Sequence, residues 1–471
     1  MSRKRMTLGK FFVFAVAAAA DAVLGANAAI DTDIAIIGGG GSGAYAAVRL
    51  REDFGKNIVV VEKQNRLGGH TQTYHDPTTK KPFDYGVEVF TNLTASRDFF
   101  GRFNIPVQSP VFGQTQPLYA DFATGKAVDY TPPSTTEVTD AITRWREQWL
   151  KYQDLLLPTR SNFPTGGDIP EDLLLTWNDF ARKYDLEALS PSIYYTVVVD
   201  LENALMIDVW KAYAFTGATT DLGLQPVSGD NSEVFEKAAQ LLGSDVIYES
   251  QVVSAKRSDD GVQIVVRGKD GSTTEINAKR LLITIGPETL DQTVFDLDDE
   301  ETYVFSSTSG NRGYTGVVSH PSLPAQGVQH TSPRAMAANY LDIPPVPALS
   351  SFDFLGNSST GPIHRTVLIV PRDTEFEEAK DLVRSSLQNL MDAGTVPAGD
   401  VGQVDFREFH DHGALYRQWT ADQLHGGIVS RANALQGLRS TWYTGAFWMN
   451  NDCAMLWNTT DSILPMVLEG I

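Results

Sequence analysis

Residues 34–50 read IAIIGGGGSGAYAAVRL: a short apolar run enters four consecutive glycines and leaves through an alanine-rich segment with helical spacing. A switch from strand to helix periodicity across glycines opens a βαβ unit, and Gly38, Gly40 and Gly43 satisfy G-x-G-x-x-G. Gly38 permits the tight turn, Gly40 lets a pyrophosphate approach the backbone, and Gly43 allows close packing of helix on strand. Gly41 and Ser42 open the helix, whose free N–H groups and positive dipole end suit phosphates. A second apolar run ends in VVVEK, residues 59–63, placing Glu62 nineteen residues after Gly43, with Lys63 beside it. An acid there accepts hydrogen bonds from an adenosine ribose. Four glycines alone would equally make a flexible loop; the strand, the helix and the acid decide for dinucleotide binding.

The chain has 471 residues, enough for two domains, and with 42% hydrophobic and 20% charged residues it has a globular composition. A net charge of −20 disfavours nucleic acid or an anionic membrane as partner. Residues 1–28 carry Arg3, Lys4, Arg5 and Lys10, then an apolar run over 11–20, then Ala26-Asn27-Ala28. This pattern is that of a secretory signal peptide, so the expectation is a secreted or secretory-pathway protein. The run is too short to span a bilayer, so no transmembrane helix is expected in the mature chain. Asn92, Asn357 and Asn458 begin glycosylation sequons. The single cysteine, Cys453, excludes an internal disulfide and reads as buried filler. His410 and His412 read as surface or pocket histidines rather than a metal pair, and no metal site is expected.

Past the first unit, residues 82–90 look strand-like and 136–213 mostly helical. A helix is expected over 233–242, strands over 246–253, 261–266 and 281–285, and an amphipathic helix over 375–393. Residues 300–370 alternate apolar and polar positions among Gly, Ser and Pro, which suggests a second, antiparallel sheet. The fold class is α/β, with a discontinuous Rossmann-like nucleotide domain made of 29–90, 228–290 and 425–471. An α+β substrate domain would be built from 91–227 and 291–424.

Four further motifs stand in order along the chain. They are Arg66-Leu67-Gly68-Gly69-His70; Phe83-Asp84-Tyr85-Gly86-Val87-Glu88; Val252 with LLITIG at 281–286; and Tyr443-Thr444-Gly445-Ala446. Together with the glycine loop they resemble the flavin-containing amine oxidase superfamily over nearly the whole mature chain. The resemblance implies FAD as the bound dinucleotide. Arg66, Gly68, Gly69 and His70 would meet the diphosphate side, Gly86 and Val87 the isoalloxazine, the Val252 main chain the adenine, and Gly445 and Ala446 the ribityl chain.

The chain departs from the amine-oxidising members. No lysine occurs between Lys279 and Lys380, and Gly445-Ala446 is followed by Phe447-Trp448 rather than an acid. The sequence is similar instead to the β-cyclopiazonate dehydrogenase family of fungal FAD-dependent oxidoreductases. That similarity implies hydride removal from a hydrophobic natural product, a prenylated alkaloid or meroterpenoid, with ring closure as one outcome. Residues 310–316, GNRGYTG, are no second dinucleotide loop, which favours oxygen or another acceptor over a nicotinamide partner. Tyr443, in an aromatic concentration with Trp442, Phe447, Trp448 and Trp457, is a catalytic candidate, as are Glu88 and His70. The alternatives are a flavin amine or amino-acid oxidase releasing hydrogen peroxide, and a non-catalytic prenyl-protein escort-like binder.

Overall fold

The computed structural model describes residues 29–111, 116–197, 200–218 and 223–471; the signal-like segment lies outside them. Strand β1 (Ile30–Ile37) and strand β2 (Ile58–Val61) pair in parallel through helix α1 (Gly41–Glu52), the crossover the sequence pattern requires. The last four residues of β1 and all of β2 are buried, as expected of parallel strands covered on both faces. Across the sheet the order is Val246–Ile247, β2, β1, Thr273–Ile283, Gly261–Gly268 and Ser250–Ser258. Strand Thr273–Ile283 does double duty. Its first half is antiparallel to Gly261–Gly268, while Leu281–Ile283 pairs in parallel with Thr441–Tyr443 near the C-terminus. The two ends of the chain thus meet on one sheet.

The second sheet has six strands in the order Asp405–Gln418, Ser309–Ser319, Gly361–Val370, Ala348–Ser358, Val328–His330 and Leu118–Ala120. All neighbours are antiparallel except the last pair. Helix Phe376–Asp392 lays Val383, Leu387 and Leu390 against Val318, Leu349 and Leu368 of this sheet. A third layer of helices is knit by Trp145, Trp177 and Trp210, all fully buried, whose core runs on into the nucleotide sheet.

Some expected elements differ. The strand expected over 246–253 breaks in two at Glu249, whose φ of +48° lies in the left-handed region. Of residues 82–90 only Pro82–Asp84 is strand, because the chain then turns under the His70 carbonyl. Helix Asp299–Ser306 and the fourteen-residue strand Asp405–Gln418 were not anticipated.

Candidate active site

The nucleotide cradle is built from loops that interlock through missing side chains. A Cβ on Gly43 would stand 1.9 Å from the Gly38 oxygen, so helix and turn can only meet through glycine there. Gly68 and Gly69 lie against this loop: Gly68 N–H donates to Gly39 O at 2.9 Å, and a Cβ on Gly69 would come within 3.0 Å of Gly40 Cα. Arg66 holds the second loop closed, donating to Gly69 O at 2.8 Å and Thr71 O at 2.9 Å. The Glu62 carboxylate, buried, accepts from Gly39 N–H at 2.6 Å and Gln64 N–H at 2.7 Å. Ser250 N–H donates to Glu62 O at 3.0 Å, which brings the strand carrying Val252 beside the acid.

Thr284 ties the parts together. Its hydroxyl donates to Gly38 O at 2.9 Å and Ile37 O at 3.0 Å, while its carbonyl lies 2.8 Å from where a Gly445 Cβ would be. Helix α1 starts at Gly40 with no side-chain cap and no acid in its first turn, so its N–H groups and dipole are unneutralised. The buried Ser42 hydroxyl next to them has no partner. An uncapped helix end, an orphaned hydroxyl, glycine-only walls and an acid at ribose distance fit FAD's diphosphate and ribose.

Beyond the cradle, the residues around Gly86 and Val87 would line the recess for the flavin ring and its substrate. His70 stacks on His412 with ring centroids 4.3 Å apart and planes within 4°. His412 Nε2 donates to Gln72 Oε1 at 2.9 Å. His70 is exposed by surface area yet surrounded by protein, and that encirclement, with Lys63, Arg417 and Arg66 nearby, pushes its pKa down to about 4. His412 is lowered too, first by burial and then by His70, His410 and Arg66. Both rings are therefore neutral. Tyr416 lies further along the same strand, with its backbone in the left-handed region at φ +48°. Gly86 is required for a reason the motif did not express: a Cβ there would meet the His70 oxygen at 2.0 Å. Val87 is half-buried and its carbonyl accepts from Asn231 Nδ2 at 2.7 Å.

Two catalytic candidates are occupied elsewhere. The buried Tyr443 hydroxyl donates to Glu301 Oε1 at 2.7 Å and accepts from Arg257 Nη1 at 3.2 Å, inside an ion-paired knot. Glu88 is ion-paired with Arg365, which also holds Asp353 at 2.7 Å. Tyr443 and Glu88 are thus each held by an arginine. Cys453 packs where a Gly41 Cβ would touch its sulfur at 3.1 Å, and burial pushes its thiol up to about 12, so it is inert filler. Ala446 is half-buried beside Gly445. Thr284 and Tyr416 escaped the sequence reading, with only the T in LLITIG as a signal, while His412 was read as a surface or pocket histidine with no tie to His70. Among the described residues, none group to hold a metal ion and no helix is long and apolar enough to cross a membrane.

A glycine-walled cradle that fits a dinucleotide, set beside a second, largely antiparallel sheet, is the arrangement of a flavoprotein of the amine-oxidase fold. A family model described as an NAD(P)-binding Rossmann-like domain matches residues 36–103. The chain is 33% identical to the FAD-dependent oxidoreductase pigF of Monascus ruber, covering 94% of this chain and 93% of that one. It is 29% identical to the beta-cyclopiazonate dehydrogenase of Aspergillus oryzae, covering 94% of each. Among solved structures, a CLA-producing fatty acid isomerase from P. acnes superposes with a TM-score of 0.70 at 17% identity, over 93% of this chain and 99% of the other. A putrescine oxidase superposes with a TM-score of 0.63 at 14% identity, over 93% and 98%; these two show the fold alone. The chain belongs to the FAD-dependent oxidoreductases of the β-cyclopiazonate dehydrogenase family. It is an enzyme, and its cofactor is FAD.

Proposed function

We propose that this enzyme removes hydride from a hydrophobic natural-product intermediate, a prenylated alkaloid or meroterpenoid, in secondary metabolism. The cation left on the scaffold loses a proton or is captured by an internal nucleophile, which closes a ring. One observation carries the choice over amine oxidation. Between Lys279 and Lys380 the chain has no lysine, the residue that in amine-oxidising relatives holds a water near the flavin. The length-wide similarity to beta-cyclopiazonate dehydrogenase supports the same reading.

Bound FAD supplies the hydride acceptor, and oxygen or another acceptor takes the electrons onward. The glycines of both loops, Glu62 and Thr284 orient the dinucleotide, and His70 and His412 form a neutral wall that takes no proton near neutral pH. The signal-like segment, with Asn357 exposed at a hairpin tip, supports passage through the secretory pathway. Metabolite profiling after gene deletion tests the substrate class: the expected result is an accumulated precursor two hydrogens heavier than the product. Peroxide release with simple amines would instead support the amine-oxidase alternative.

A further inference from the structure

Behind the recess lies a buried ionic cluster that the cradle does not use. Asp208 and Lys211 sit one turn apart on helix Met206–Ala218, at 4% and 6% exposure, with Nζ to Oδ1 at 3.0 Å. Lys211 Nζ also donates to Arg417 O at 3.0 Å, and the Lys211 carbonyl accepts from Asn450 Nδ2 at 2.6 Å. Arg160, 2% exposed and held at φ +57°, donates to Trp448 O at 2.9 Å, just past Gly445-Ala446. Its Nε and Nη1 have no partner, nor has Asp208 Oδ2. The cluster therefore buries two cations against one carboxylate, and an unbalanced buried charge is costly unless the site uses it.

Hydride transfer would put one negative charge on the flavin and leave one positive charge on the substrate, which is discharged when the scaffold loses its proton. We infer that Arg160, Asp208 and Lys211 form a buried cluster with one surplus positive charge, which stabilises the negative charge arriving at the flavin. These are positioning residues for charge, not catalytic ones. The inference rests on flavin lying at Gly445 and Ala446, not on the substrate proposed above. Burial, with Arg160 and Arg417 near and Asp208 opposing, brings the Lys211 ammonium down to about 8, so most of the surplus is present at neutral pH and it falls away above about pH 8.

Sulfite tests this without substrate: its sulfur lone pair adds to flavin N5, leaving one negative charge on the ring. Charge bookkeeping orders its affinity in the holoenzyme as Asp208→Asn above wild type, the double variant Asp208→Asn/Lys211→Met near wild type, and Lys211→Met below it. Steps of about tenfold are expected. A merely structural role moves all three variants in one direction, and that result, or an unchanged Asp208→Asn, overturns the inference. If the variants fail to fold, the wild-type flavin potential decides. Its slope with pH should steepen above about pH 8, where reduction draws a proton back onto Lys211, and a constant slope overturns the proposal. A colourless protein would instead remove the flavin placement itself.

Discussion

At Gly43 the tolerance is that of one atom, because a methyl group would stand 1.9 Å from the Gly38 oxygen. Gly43→Ala must push helix from strand, an overpacking cost of about 1–3 kcal/mol. We expect FAD affinity to fall on the order of 10- to 100-fold, read by fluorescence titration of the apoprotein. Tyr443 offers the opposite case. Tyr443→Phe removes two hydrogen bonds from the Arg257–Glu301 knot and nothing from the recess. Stability should drop by about 1–2 kcal/mol in urea unfolding while turnover stays within about twofold. A large loss of turnover at unchanged stability would return Tyr443 to the catalytic candidates.

Between elements, the Arg257–Glu301 pair joins an edge strand to helix Asp299–Ser306 at 2.7 Å, with side chains 0% and 1% exposed. Arg439 and Asp296 complete the network. Breaking a buried pair strands a charge, so Arg257→Met should cost about 3–5 kcal/mol in the same assay, far more than Tyr443→Phe. None of this was legible in the sequence, since partners 44 residues apart leave no periodic trace. The βαβ unit was legible because its information is local: glycines, apolar runs and an acid at fixed spacing. Helix Glu233–Leu242 was legible for the same reason, as a strongly one-sided pattern. Strand Asp405–Gln418 was not. Residues 412–418 are all of intermediate exposure and the register shifts more than once, so the alternation of apolar and polar residues is blurred.

For the whole molecule, the neutral histidine wall sets an acid limit. In the unfolded chain both histidines titrate near 6.5, while in the folded chain His70 is pushed down to about 4 and His412 is pushed well down by burial. As pH falls below about 6.5 the unfolded state binds protons first, so stability complete above 6.5 is lost progressively toward pH 4. Urea midpoints measured between pH 7.5 and 4.5 should show this decline, and His70→Asn/His412→Asn should flatten it. On the outer surface, Asn357 at its exposed hairpin tip should carry a glycan if the chain is secreted, seen as a mobility shift on enzymatic deglycosylation. The knot at Thr284 has a consequence in time. The glycine loop leaves the ribosome early, but its neighbours Gly445, Cys453 and Trp457 come last, Trp457 Nε1 reaching back 416 residues to Gly41 O at 3.0 Å. A nascent chain cannot close the cradle until residues 441–457 have left the ribosome. Flavin capture then waits on that segment, and a chain truncated before Thr441 should emerge colourless however well its first domain folds.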